Sequence, residues 1–95
     1  VKKVYIGKCT NYFAKAGVAE FLIETETLEL GDEMLVTGPT TGAYEKTVEE
    51  LRVDYKNVKI AQKGDLVSIK VDERIRRNDK LFKWKDARLV NDSQD

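Results

Sequence analysis

The sequence predicts an all-β fold, a small closed antiparallel barrel of six or seven strands. A short turn phrase ending in Asp occurs three times, each time before an apolar run, as Gly31-Asp32, Gly64-Asp65 and Asn78-Asp79. Gly, and next best Asn, tolerates the positive φ of tight turns, and Asp can bond its own backbone two residues on. The segments between the turns alternate in polarity and contain no convincing helix. A closed barrel follows, because closure removes the unpaired edges of a small sheet.

Alternating apolar residues predict three strands in the first half of the chain, since every second side chain of a half-buried strand faces the core. These strands cover residues 3–13, 18–24 and 33–37. In the second strand, Ala19, Phe21 and Ile23 share one face. The charged stretch 25–30 connects this strand to the first turn phrase.

The second half of the chain begins with the clearest loop. Residues 38–42 combine two glycines, the only proline and two hydroxyls, which predicts an exposed hairpin tip. Residues 44–53 predict a long strand whose alternation breaks near Glu49 and Glu50, where a β-bulge would restore the register. A competing interpretation makes 43–55 a helix, because Glu, Lys and Leu are good helix formers. The remaining predicted elements are a short extended piece at 58–60, strands over 66–71 and 80–85, and a flexible polar tail at 87–95 that follows a barrel domain over 1–86.

Composition indicates one soluble domain. The chain has 95 residues, of which 41% are hydrophobic and 36% charged, with a net charge of zero. It contains neither an apolar run of membrane-helix length nor a signal-peptide core, and it has a single cysteine, so we expect a cytoplasmic protein without membrane contact. The missing initiator Met suggests that these residues were cut from a longer chain or processed. Composition does not indicate an oligomeric state.

The residue types argue against an enzyme. The chain has no histidine, the commonest general base and metal ligand, and no Gly-rich run ending in Gly-Lys-Ser or Gly-Lys-Thr. Cys9 lies on an alternating strand, where a lone cysteine is usually a small buried apolar group. The acidic residues of 20–33 lack the spacing of a calcium loop. We therefore expect no catalytic residue, no cofactor and no metal.

The best functional signal is the basic segment 70–88, which contrasts with the acidic segment 20–33. Its cations could neutralise phosphates, and an exposed Trp84 indole could stack on a base for ~1–3 kcal/mol. A structural alternative turns Phe82 or Trp84 inward and leaves the flanking lysines to keep a sheet edge soluble. The fold could also place the acidic and basic segments side by side as salt-bridged neighbours.

Loop 38–42 is the second candidate, because its free backbone donors and hydroxyls could grip a phosphate or the backbone of a partner. The predicted contact residues of both regions are Arg74, Arg76, Arg77, Lys80, Lys83, Trp84, Lys85, Thr40, Thr41 and Tyr44.

The order of the turn phrases resembles a known barrel. In chain order the phrases are Gly17-Val18-Ala19, Leu30-Gly31-Asp32, Gly38-Pro39-Thr40-Thr41, the run from Ala61 to Val71, and Asn78-Asp79-Lys80-Leu81. This order is similar to the second domain of elongation factor Tu and its relatives. Within that superfamily it is more similar to the C-terminal barrel of the collagenase-like peptidase family U-32, in which the segment from Val4 to Tyr12, with its Tyr12-Phe13 ending, also has a counterpart. The resemblance covers about residues 3–85, and its motifs are signatures of a fold.

The resemblance implies a barrel of the translation-protein type without catalytic residues of its own. In the collagenase-like family, catalytic or RNA-modifying work is attributed to a large preceding domain, and in translational GTPases the barrel contacts tRNA or the ribosome. The implied function is a non-catalytic module that binds RNA (tRNA or rRNA) or an RNA-processing partner through the basic strand and loop 38–42. The alternative is a docking or substrate-orienting appendage of a larger collagenase-like peptidase or RNA-modifying enzyme, without RNA contact of its own.

Overall fold

Every regular element of the described chain, residues 2–85 of a computed structural model, is a β-strand. The strands are β1 (Lys2–Phe13), β2 (Val18–Ile23), β3 (Leu28–Glu29), β4 (Glu33–Gly38), β5 (Gly42–Thr47), β6 (Leu51–Val53), β7 (Lys56–Val58), β8 (Ile60–Ala61), β9 (Leu66–Lys70) and β10 (Lys80–Lys85). The predicted tail at 87–95 lies outside the described residues. Within residues 2–85, no helix has the length and apolar character needed to span a membrane.

Eight strands form one antiparallel sheet in the order β5-β4-β10-β1-β2-β9-β6-β7, and β3 pairs separately with β8. The buried side chains of both sheets belong to a single core. The prediction of an all-β, antiparallel fold of the barrel type is confirmed. Between residues 2 and 85 the ladder ends at β5 on one side and at β7 on the other, so the sheet surrounds the core without a continuous ring of hydrogen bonds.

Strand β1 is long enough to belong to both halves of the sheet. Its first part pairs with β10 and its second part with β2, and the register shifts once along each ladder. Gly7 lies where the two ladders meet. A Cβ atom there would stand 1.9 Å from the carbonyl oxygen of Leu22, so only glycine allows β1 and β2 to approach this closely.

The three predicted turns share one hydrogen-bonding pattern. The φ angle before each Asp is positive, at 91° for Gly31, 95° for Gly64 and 74° for Asn78. The Asp N–H donates to the carbonyl oxygen three residues back, and the Asp carboxylate accepts from the N–H of that same residue. The pairs are Asp32 with Glu29, Asp65 with Gln62 and Asp79 with Arg76, and the carboxylate bonds measure 2.8 to 2.9 Å.

These turns start β4, β9 and β10 as predicted. The expected carboxylate bond two residues ahead is wrong. The turn brings the N–H of its first residue, three positions back, next to the carboxylate, so the side chain and backbone of Asp close the same turn.

The single long strand predicted at 44–53 is wrong, as is the competing helix at 43–55. The chain instead leaves β5 at Thr47 and begins β6 at Leu51. Between them, the buried Val48 donates its N–H to the carbonyl oxygen of Asp32 and accepts from the N–H of Gly31, both at 2.8 Å. The first Asp turn therefore satisfies the backbone hydrogen bonds of the connection between β5, which pairs with β4, and β6, which pairs with β9. No β-bulge is needed.

Strands β6 and β7 form a hairpin whose two turn residues include neither glycine nor asparagine. The two residues of its turn, Asp54 and Tyr55, have φ angles of 53° and 65°, as in a type I′ turn. The extended piece predicted at 58–60 is divided between β7 and β8. Lys59 separates the two strands and accepts a hydrogen bond from the N–H of Leu30.

Candidate binding surfaces

The candidate residues lie at opposite ends of β10. The turn before the strand carries Arg76 and Arg77, and its first residue, Lys80, pairs with Thr37 at the end of β4. The last residue, Lys85, pairs with Lys2 at the far end of β1. The basic segment that is continuous in sequence is thus split between two different surfaces.

The first surface joins the predicted hairpin tip to the basic turn. We call it the Gly38 surface, and it consists of residues 38–42 together with Arg76, Arg77, Asn78 and Lys80. A shallow depression of about 340 Å³ lies between its two parts and is lined by Thr37, Gly38, Pro39, Gly42, Asn78 and Lys80. The structure therefore brings together the two regions that the sequence marks as separate candidates.

Asp79 holds the Gly38 surface together. It is only 2% exposed, and its carboxylate accepts hydrogen bonds from the Arg76 N–H at 2.9 Å and from the hydroxyl of Thr41 across the surface. Gly38 packs directly against it, since an added Cβ would stand 1.9 Å from the Asp79 carboxylate. The backbone of the turn is fixed to β1, because the Cys9 N–H donates to the Asp79 carbonyl oxygen at 2.8 Å.

The cations of the Gly38 surface, and Arg74 just before it in the chain, face solvent. Arg74, Arg76, Arg77 and Lys80 are exposed. The ion pairs found within residues 2–85 involve Arg52, Lys83 and Lys85 and none of these four residues. Their positive charge is available to a partner as far as the described part of the chain is concerned.

Lys83, at the other end of β10, points into the fold. The residue is 8% exposed, its Nζ donates to the carbonyl oxygen of Thr27 at 2.5 Å, and the Asp32 carboxylate lies 3.9 Å away. The expectation that Phe82 or Trp84 points inward is therefore wrong. The Asn78-Asp79 turn sets a register that buries Leu81, and strand alternation then places Lys83 on the same inner face.

The neighbours of Lys83 in sequence are bound to acidic side chains. The Trp84 indole N–H donates to the Glu45 carboxylate at 3.1 Å. Lys85 forms a 2.7 Å ion pair with Glu26, and the hydrogen bond and charge of Lys85 hold the pKa of Glu26 below its usual value. The alternative in which basic and acidic segments become salt-bridged neighbours is confirmed at this end of β10.

Tyr44 belongs to the core. Its hydroxyl donates to the Asp72 carboxylate at 2.6 Å and accepts from the Asp72 N–H at 3.3 Å. Burial, followed by this hydrogen bond, raises the pKa of Tyr44 to about 12. The ring and the hydroxyl are both engaged within the fold. Thr40, in contrast, is exposed at the hairpin tip.

Cys9 is fully buried, as expected for a small apolar residue on β1. Burial raises the pKa of its thiol to about 11, so the thiol is protonated at neutral pH. Thiolate is the nucleophilic form of cysteine, and a buried, protonated thiol is inert. Among residues 2–85, no three His, Cys, Asp or Glu side chains converge in a way that could hold a metal ion.

Sequence patterns do not mark the most exposed aromatic residue of the described chain, Tyr55. Its side chain is 100% exposed at the turn between β6 and β7. Only the pairing of β6 with β7 shows that this tyrosine occupies a hairpin turn.

Comparisons with known proteins identify relatives of this fold. No family model matches the chain. It is 47% identical over 83 residues to a protein named collagenase from Porphyromonas gingivalis, a match that covers 87% of this chain and 20% of the relative. It is 34% identical over 86 residues to an uncharacterized protease of Methanocaldococcus jannaschii, which covers 90% of this chain and 21% of that protein.

A solved structure gives the same result for the fold. The C-terminal domain of a Geobacillus thermoleovorans protein described as a U32 peptidase superposes with a TM-score of 0.78 and 18% identity, over 85% of this chain and 92% of that domain. The predicted resemblance to the C-terminal barrel of the U32 peptidases is confirmed. The selenomethionine form of the same domain gives a TM-score of 0.77. The chain spans only about a fifth of the length of the curated relatives it matches.

We predict that Lys83→Met destabilises the domain by about 1–2 kcal/mol, because the carbonyl oxygen of Thr27 loses its donor. The matched control is Lys80→Met on the same strand, which alters an exposed lysine and should change the free energy of unfolding by less than about 0.5 kcal/mol. Urea unfolding measures both variants. Equal effects of the two substitutions would show that the buried bond of Lys83 adds no stability.

We also predict that the free energy of unfolding decreases as the pH rises from about 9 to about 11. The pKa of Cys9 is raised from 9.0 to about 11 in the folded state, so the folded chain holds a proton that the unfolded chain has released. Stability from this group is therefore complete below pH 9 and is lost at up to about 1.4 kcal/mol per pH unit above it.

Cys9→Ala is the control for this pH dependence. The difference in unfolding free energy between the wild type and Cys9→Ala should shrink between pH 9 and 11. The contribution of Tyr44, whose pKa is raised from 10.0 to about 12, falls equally in both proteins and cancels in this difference. A difference that stays constant across this range would contradict the assignment to Cys9.

Proposed function

We propose that this chain is a non-catalytic accessory domain of a larger U32 peptidase-like protein, in which it binds or orients a partner or substrate. The observation that carries the proposal is the partial match of this chain to longer relatives. Nearly all of the described fold corresponds to about a fifth of two curated relatives, and the structural neighbour is the C-terminal domain of a larger protein.

The chemistry of the residues supports an accessory role. The chain has no histidine, and its single thiol is buried with a raised pKa. The carboxylates of all three Asp turns are committed to turn hydrogen bonds, so they serve the fold. The exposed groups that remain are suited to binding a partner rather than to catalysis.

Deletion and replacement in the Porphyromonas gingivalis collagenase test the proposal. Removing the 83-residue matching region should raise the KM for denatured collagen by about tenfold or more, while kcat for a short peptide changes by less than about twofold, because the lost region supplies binding only. Inserting this chain in its place should restore the KM. Turnover of either substrate by the 95-residue chain alone, or an unchanged KM after deletion, would overturn the proposal.

A second candidate function, contact with RNA, is favoured by the Gly38 surface. The cations Arg76, Arg77 and Lys80 are exposed there beside the hydroxyl of Thr40, and Arg74 lies exposed just before the turn. Such groups can neutralise phosphates. Because Lys83, Trp84, Lys85 and Tyr44 are bound to groups within the fold, we place the proposed contact at the Gly38 surface alone.

Replacing the exposed cations should weaken tRNA binding and its salt dependence. For the triple variant Arg76→Ala, Arg77→Ala and Lys80→Ala, the slope of log K against log salt should decrease by about 2–3, since each phosphate contact contributes about 0.9. The matched control removes three exposed lysines elsewhere, at Lys56, Lys59 and Lys63. Absence of tRNA binding at low salt, or equal losses in the two triple variants, would reject RNA contact at the Gly38 surface.

A further inference from the structure

The turn between β6 and β7 holds a bulky residue in an unfavourable backbone conformation. Asp54 and Tyr55 both adopt positive φ, at 53° and 65°. A two-residue turn of this kind strongly favours Asn followed by Gly, because the Cβ of other residues meets the following carbonyl oxygen at a cost of about 1–2 kcal/mol. Tyr is therefore a poor choice for the stability of the turn.

The side chain of Tyr55 gives no compensating contact within the described fold. It is 100% exposed, whereas the other large apolar residues at the surface are 40–49% exposed. The ring thus buries no area that would offset the strain beneath it. The strain lowers the stability of the folded domain, and because the ring is fully exposed, no burial offsets it.

The hairpin that carries Tyr55 is nevertheless fixed to the rest of the fold. Leu51, at the start of β6, is buried in the core, and β6 pairs with β9 through Arg52 with Ser68 and Val53 with Val67. Across the hairpin, Arg52 Nε donates to the Asn57 side chain at 3.2 Å. A backbone that is already ordered before contact lowers the entropic cost of binding.

Charges of both signs surround the ring, because the exposed Glu49 and Glu50 flank the hairpin on one side and Lys59 flanks it on the other. Arg52, Lys56 and Lys59 are exposed on or next to the hairpin, and Asp54 is its one acidic residue. Arg52 is shared with Glu50, whose carboxylate lies 3.7 Å away. A complementary surface would offer an apolar pocket for the ring and a polar rim for these charges.

We propose that Tyr55 is an interaction anchor that inserts into an apolar pocket on the larger protein portion that accompanies this domain. This inference rests on the accessory role proposed above and names the contact through which that role is exercised. The relatives carry about four-fifths of their length outside the matching region, which supplies a protein surface for the ring. A single aromatic at a narrow hairpin turn suits a pocket, whereas single-stranded RNA is usually held on several stacked aromatics along a groove.

The test separates folding from binding by giving the turn the residues that it prefers. The variant Asp54→Asn with Tyr55→Gly should melt at the same temperature as the wild type or up to about 5 °C higher, because the left-handed strain is relieved. Its partner is the Porphyromonas gingivalis collagenase lacking the 83-residue matching region. The Kd for this probe should increase by at least about tenfold.

Two further variants define the cause. Tyr55→Asn keeps a residue that tolerates positive φ but removes the ring, so it should lose binding to the same extent. Phe13→Ser removes another exposed aromatic, 44% exposed on β1, and should leave the Kd unchanged. This pattern would assign the loss to the Tyr55 ring.

Other outcomes overturn the inference. Equal binding by the wild type and the Tyr55 variants would reject Tyr55 as an anchor and leave the accessory role standing, since that role is judged separately by the KM for denatured collagen. Failure of the wild-type chain to bind the probe would also reject the inference. Binding to a single-stranded oligouridine probe that depends on Tyr55, with probe-protein binding unaffected, would assign the ring to RNA instead.

Discussion

The hydrogen bonds of the three Asp turns are the interaction on which the rest of the fold depends. Each Asp closes its turn twice, through its backbone N–H and through its carboxylate, while a residue with positive φ turns the chain. Because both bonds go to the same earlier residue, the first residue of the following strand has a defined direction. Strand alternation then decides which side chains enter the core. The first turn has a further role, since its backbone also receives Val48 and thereby ends β5.

The consequence for the surface is clearest along β10. The Asn78-Asp79 turn directs Leu81 and Lys83 inward, and Phe82 and Trp84 outward. A segment that reads as one basic stretch becomes an exposed cluster before the strand and a set of satisfied ion pairs at its end. The cations of the Gly38 surface stay exposed, and Asp79, the carboxylate of the same turn, is buried and bound to Thr41 and to a backbone N–H. The same register thus creates one candidate binding surface and removes another.

The fold was largely predictable because its signals are local. A glycine or asparagine before Asp, and alternation over five or six residues, can be read from neighbouring positions, and the strand starts at Glu33, Leu66 and Lys80 follow directly. The errors concern partners that are distant in sequence. Lys83 is buried because Thr27, 56 positions away, offers a carbonyl oxygen, and β5 ends because Val48 meets Gly31. Nothing local marks Tyr55 as a turn residue, since its position follows from the pairing of β6 with β7.

The Gly38 surface and the β6–β7 turn differ in how their residues contribute to the stability of the fold. At the Gly38 surface, Asp79 supports the hairpin tip, the basic turn and β1 together, so a substitution there changes the fold and any contact at once. At the β6–β7 turn, the side chain of Tyr55 supports nothing in the described chain, and its backbone is strained. A residue that costs stability is expected where selection acts on contact. This separation makes Tyr55 the more informative position, because loss of binding there does not imply loss of folding.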